Sequence, residues 1–120
     1  MRILIVDDRV DSRKLMYKLL LKIFPESTIV EAKEGMEAFS LVSKSEDFDL
    51  VITDWYMPKL NGIEFIQLLE DWEYKLPIII CTFENETNKV KQAMKLPIVD
   101  YLLKPYTLSS LREKVTNITK

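Results

Sequence analysis

Five short apolar runs are spaced along the chain: ILIV at 3–6, TIVE at 28–31, LVIT at 50–53, IIIC at 78–81 and VDYLL at 99–103. Near-continuous runs of isoleucine, valine and leucine suit strands buried on both faces, and such strands occur mainly in parallel sheets covered by helices. The stretches between them have helical period. Leu15, Met16, Leu19, Leu20 and Ile23 form one apolar stripe, Met36, Phe39, Leu41 and Val42 a second, and Ile63, Phe65, Ile66 and Leu69 a third. A fourth stretch, ETNKVKQAMK at 86–95, is weakly apolar. A fifth, TLSSLREKVTNI at 107–118, places Thr107 as an N-cap soon after Pro105. Five strands alternating with five helices predict an α/β fold, a five-stranded parallel sheet with helices on both faces.

At 120 residues the chain has the size of one domain, able to bury roughly two thirds of the surface its unfolded form exposes. No internal repeat, linker or low-complexity segment divides it, so the expectation is a single domain over 1–120 with no effector domain. The one cysteine, Cys81, lies inside PIIICT and reads as a small core residue that cannot form an internal disulfide. The run ILIV is too short for a signal peptide, and nothing approaches the roughly 20 apolar residues of a membrane span. A soluble, cytoplasmic protein that inserts in no membrane is expected.

The formal charge of −2 and the absence of a Lys/Arg block argue against direct nucleic-acid binding. The basic side of DSRKLMYKLLLKIF, 11–24, reads as a solvated helix face. There is no histidine. That excludes a His-based triad, a zinc site of ordinary composition and a phosphohistidine within the chain. Chemistry must rest on carboxylates, hydroxyls and lysine.

The residues that end the apolar runs supply all three. ILIV is followed by Asp7 and Asp8, LVIT by Asp54, IIIC by Thr82 and YLL by Lys104. In a parallel sheet these ends lie on one edge, where open α/β sheets bind ligands at the point of strand-order reversal. Flavodoxin-like sheets run in the order 2-1-3-4-5, with that point between the first and third strands. Borrowing the order puts Asp7, Asp8 and Asp54 in one crevice. Taken singly, Asp7, Asp8 or Asp11 could cap a helix, Asp54 could open a turn, and Thr82 and Lys104 could be ordinary strand-end groups. Taken together they make a carboxylate cluster with a hydroxyl and an ammonium on the same rim. Three carboxylates within about 5 Å repel by a few kcal/mol per pair at an effective dielectric of about 20, so a cation belongs among them. Mg²⁺ suits such a set, being held by one or two carboxylates plus a phosphate. A carboxylate can also attack phosphorus to form an aspartyl phosphate while a metal, a hydroxyl and a lysine neutralise the transferred oxygens.

VDD at 6–8, DWYMPKLNG at 54–62 in the pattern D-x-x-M-P-x-x-x-G, Thr82, and DYLLKP at 100–105 stand in order at the strand ends. With them the chain resembles a response-regulator receiver domain of two-component signalling, chemotaxis-regulator-like in its DW pair, over essentially its whole length. The resemblance implies that Asp54 is the phosphoacceptor and that Asp7, Asp8, Asp54 and the backbone carbonyl of Tyr56 hold Mg²⁺. It implies that Lys104 pairs with Asp54 and then with a phosphoryl oxygen, that Thr82 bonds another, and that Tyr101 is a switch aromatic turning inward as Thr82 moves. It also implies a cis peptide bond before Pro105. The partners implied are a sensor histidine kinase or histidine phosphotransfer protein, and a downstream target or second copy at the surface of the fourth helix, fifth strand and fifth helix. Such a protein is a switch that assists its own phosphorylation and dephosphorylation, not a dedicated turnover enzyme. Met57 would anchor the loop after Asp54, Pro58 would limit its freedom and Gly62 would admit a tight entry to the third helix. Trp55 is expected beside the site.

Two departures from the family pattern concern geometry. Pro97 and Ile98 stand where Gly-Ala is common, predicting a stiffer exit from the fourth helix. Phe83 replaces the usual small residue after Thr82, and with Tyr56 it is expected to modulate access to Asp54. Rival functions fit less well. An aspartyl phosphohydrolase of the haloacid-dehalogenase kind needs D-x-D after the first strand and a cap insertion. A flavodoxin-like cofactor binder needs a phosphate loop where this chain has the acidic DDRVDSR. A degenerate receiver acting only as a docking module is at odds with the intact set of residues.

Overall fold

The apolar runs form β1 (Arg2–Val6), β2 (Thr28–Ala32), β3 (Leu50–Asp54), β4 (Ile78–Phe83) and β5 (Val99–Lys104), seen in a computed structural model that describes residues 1–45, 47–83, 88 and 99–119. All pair in parallel, in the order β2-β1-β3-β4-β5. The helices are α1 (Val10–Ile23), α2 (Gly35–Ser45), α3 (Gly62–Asp71) and α4 (Leu108–Ile118). The last is the fifth of the expected helical stretches. The fourth, 86–95, lies outside the described residues apart from Asn88, as do Pro97 and Ile98, so four helices are seen among the described residues.

Strand alternation builds two cores. Leu4, Val6, Val51 and Ile80 face α2 and α3, meeting Ala38, Val42, Phe65 and Leu69. Ile3, Ile5, Ile52 and Ile79 face α1 and α4, meeting Met16, Leu20, Leu111 and Val115. The third apolar stripe lies as expected, but two others are rotated. Leu15 and Met36 are exposed, while Arg13 and Ala38 take inward positions. The cause is spacing. Arg13, Met16 and Leu20 follow the three-and-four interval of one helix face, and a small Ala38 lets α2 approach the sheet closely.

Helix starts differ in a way that bears on the site. Asn61 accepts a hydrogen bond from the Glu64 N–H and Glu64 accepts one from the Asn61 N–H, a capping box that begins α3. Thr107 and Ser110 do the same for α4, with Thr107 the N-cap. At α1 the N-cap is Arg9, without a side-chain cap bond. The acidic residues around it are thus not consumed in capping the helix. Among the described residues, no helix is long and apolar enough to cross a membrane.

Candidate functional site

The last β1–β3 pair is Val6 with Thr53, so Asp7 and Asp54 follow side by side at the carboxyl edge. Asp7 continues the ladder for one more bond, its N–H donating to the Ala32 carbonyl at 3.1 Å. Its Oδ1 accepts the Arg9 N–H at 2.9 Å, which turns the chain into α1. Asp8 comes next, exposed on the rim. One carboxylate oxygen from each of Asp7, Asp8 and Asp54 lies within 4.8 Å of the others.

Asp54 is the end of β3 and only 7% exposed. Its Oδ1 accepts two hydrogen bonds, from the Trp55 N–H at 3.0 Å and from Lys104 Nζ at 2.6 Å. Lys104 is brought there by β5, whose register sets it opposite Phe83, while Asp54 pairs with Cys81 on β4. The Lys104–Pro105 peptide bond is cis. The loop after Asp54 folds back so tightly that a Cβ on Gly62 would lie 2.7 Å from the Asp54 carbonyl oxygen. What position 62 lacks is room for a side chain. Met57 is buried in the α2–α3 core, anchoring that loop, and Lys59 takes a left-handed φ of 70° in it.

Among the described residues, three carboxylates face one ammonium in this cluster. The like-charge pairs repel on the order of 3 kcal/mol each at an effective dielectric of about 20, less where water reaches Asp8. Burial, chiefly, holds the Asp7 carboxyl above the usual carboxylate range. The Arg9 N–H opposes that shift, the Asp54 and Asp8 charges add to it, and Lys104 offsets part of it. Below the acids, burial pushes the Cys81 thiol up to about 12 and raises the Tyr106 phenol as well. An uncompensated set of hard oxygen donors, one partly buried and electrostatically strained, fits a divalent cation such as Mg²⁺.

A crevice of about 470 Å³ holds the cluster, with Tyr56, Phe83, Lys104 and Tyr106 on its walls and Cys81 at its floor. Tyr56 and Phe83 are about half exposed, and Lys104 Nζ lies 5.6 Å from the Phe83 ring centre. Other expected residues stand back from it. Trp55 adjoins the site as expected, through its N–H, while its ring is packed in the α2–α3 core. Its apolar surface finds more burial there than at an acidic mouth. Thr82 is buried and its hydroxyl donates to the Phe83 carbonyl at 3.4 Å. Tyr101 is half-buried against the α2–α3 core, with Lys114 Nζ 4.8 Å from its ring centre. The solvated-face expectation for the basic side of α1 holds at Lys14, Lys18 and Lys22, which are exposed, and is corrected at Arg13. Arg13 is buried and donates to the Asp7 carbonyl, its position legible only from its interval to Met16 and Leu20.

The sequence model of the response regulator receiver domain matches residues 3–116. The chain belongs to that family. It is 34% identical over 120 residues to a chemotaxis protein CheY homolog of Campylobacter jejuni, covering 98% of this chain and 92% of that one. It is 36% identical to chemotaxis protein CheY-3 of Vibrio cholerae, covering 98% and 91%. A receiver domain from Clostridium thermocellum superposes with a TM-score of 0.88 at 26% identity, covering 98% of this chain and 93% of that one. CheY4 of Vibrio cholerae does so with a TM-score of 0.82 at 27% identity, covering 98% and 97%. The receiver domain described above is therefore of the CheY-like kind, a class of signalling switches rather than turnover enzymes, and its family implies a phosphoacceptor role.

Proposed function

We propose that residues 1–120 act as a single receiver domain that takes a phosphoryl group onto Asp54 in a Mg²⁺-dependent reaction and thereby alters a protein-binding surface. The observation that carries this reading is the state of the Asp54 carboxylate. Oδ1 is engaged by Lys104 and the Trp55 N–H, and the residue shares a 4.8 Å cluster with Asp7 and Asp8. Oδ2 is then the oxygen left to attack phosphorus. The Oδ2–P bond forms as the bond from phosphorus to the donor's nitrogen or oxygen breaks, its electron pair leaving with that atom.

Asp7, Asp8, Asp54 and the Tyr56 carbonyl hold the cation, which when bound neutralises charge on the phosphoryl oxygens. Lys104, already at hydrogen-bond distance, exchanges its carboxylate partner for one of those oxygens. Thr82 would have to turn its hydroxyl away from the Phe83 carbonyl to reach another, and Tyr101 would follow into the space it leaves. Phe83 and Tyr56 wall the approach and set how fast donors and water arrive. The donor partner is a sensor histidine kinase or histidine phosphotransfer protein, in the cytoplasm. The output surface comprises residues 86–95, β5 and α4, and binds a downstream protein or a second copy.

Intact mass after incubation with acetyl phosphate or phosphoramidate and Mg²⁺ tests this. One phosphoryl group is expected, lost to base or hydroxylamine, and absent from Asp54→Asn. Labelling of that variant at another carboxylate would move the acceptor, and an unlabelled wild type would favour a docking module that works without phosphorylation.

A further inference from the structure

We infer that Arg13 is a positioning residue for the acidic wall, fixing the Asp7 peptide so that Asp7 and Asp8 are presented together to a divalent cation. The inference rests on the reading of the crevice as a cation site. Arg13 is 8% exposed, and among the described residues Arg13 and Asp54 are the two charged side chains classed as buried. A guanidinium taken out of water must find partners. It finds the Asp7 carbonyl, to which Nη1 donates at 2.7 Å, and Glu31 on β2, to which Nε donates at 3.3 Å. Neither bond goes to a carboxylate of the cluster.

The first of those bonds acts on the backbone, and the second holds the guanidinium in place. The Asp7 N–H is already held by the Ala32 carbonyl, so with Arg13 on the carbonyl both peptide groups of Asp7 are fixed. Because the peptide unit is planar, fixing that carbonyl also fixes where Asp8 begins. Glu31 has a second effect. It cancels the guanidinium charge, so the pair supplies a hydrogen bond beside the cluster with little net field to repel an incoming cation.

Geometry and charge make opposite predictions here, and the sign of one measurement separates them. If Arg13 acted through its charge, Arg13→Met would expose Glu31, add negative potential and tighten cation binding. If it acts by positioning, the same variant weakens binding. Outer partners of metal ligands are typically worth 10–100-fold in affinity, so about tenfold weaker Mg²⁺ binding is expected by isothermal titration calorimetry. The double variant Arg13→Met with Glu31→Met removes one charge of each sign and should stay weakened. Arg13→Lys, which keeps the charge but cannot hold both partners in one planar fork, should fall about threefold.

Near-UV circular dichroism establishes that the variants are folded, and if Arg13→Met does not fold, Arg13→Lys decides, because a role through charge alone leaves its affinity unchanged. Binding by Arg13→Met that equals or exceeds wild type, or wild-type affinity in the double variant, would overturn the positioning role while leaving the crevice a cation site. A wild type that binds no Mg²⁺ would overturn the reading of the crevice itself and this inference with it.

Discussion

The two walls of the crevice are held in different ways. On the β1 side, Asp7 is fixed through its N–H, its carbonyl and Oδ1, by Ala32, Arg13 and Arg9 respectively. On the β4–β5 side the contacts are made by side chains: Lys104 on Asp54, the Thr82 hydroxyl on a carbonyl 3.4 Å away, and the half-exposed Phe83 ring near the ammonium. The Asp7–Ala32 bond cannot change without moving the sheet, and the other two bonds on Asp7 each have a backbone group at one end, whereas Lys104 and the Asp54 carboxylate can exchange partners by rotation about single bonds. A wall that must present ligands to a cation gains from the first arrangement. Under the proposed function, the wall that registers a phosphoryl group on Asp54 needs the second.

The comparison breaks most visibly on the β1 side. Asp8→Asn should lower Mg²⁺ affinity by roughly a hundredfold, at the upper end of what even an outer partner costs, measured by calorimetric titration. An unchanged affinity would take the cation off that wall altogether. On the other wall, Phe83→Ala should leave Mg²⁺ affinity within about twofold yet speed phosphorylation by acetyl phosphate about tenfold, roughly 1.4 kcal/mol at the transition state. Tyr56→Asn should chiefly shorten the lifetime of the phosphoprotein. Stopped-flow phosphorylation and phosphate release read both, and unchanged rates in the two variants would mean that the rings only pack.

The smallest effect concerns stability. Asp7 is held above the usual carboxylate range chiefly by burial, so its neutral form suits the folded state better than its charged form. Its contribution is fully present below the unfolded value of 3.8 and is lost as pH rises through the folded-state pKa. Without divalent ions, Asp7→Asn should therefore melt a few degrees above wild type at neutral pH, and the gap should close toward about pH 4. A gap that is constant across that range in scanning calorimetry would show that Asp7 is not strained by its surroundings.

Much of this could be read from the chain. Apolar runs of strand length alternating with amphipathic stretches carry the layer architecture because burial on both faces leaves a local trace. The ends of those runs carry the site because a parallel sheet brings them to one edge. Strand order had to be borrowed, since nothing local in β1 states that β3 rather than β4 lies beside it. Arg13 was read as solvated because charge is an unreliable guide to burial when a partner waits on another strand. The Trp55 ring and the Thr82 hydroxyl depend on χ angles settled by neighbours far away in sequence. Phe83 stands out in composition alone, as bulk where the family favours a small group, and the structure puts it on the wall of the crevice.

Cys81, paired across the strands with Asp54, gives the molecule an internal clock. A thiol is attacked by alkylating and disulfide reagents only as its thiolate, and this one is buried with its pKa pushed up to about 12. While the sheet is closed it is silent. Because it is the chain's one cysteine, each label that appears marks an opening beside Asp54 and nowhere else. The labelling rate thus measures how often the centre of the sheet breathes. Anything that binds the closed crevice slows that clock by the factor one plus its concentration over its dissociation constant, making occupancy legible without a tag, a dye or a partner.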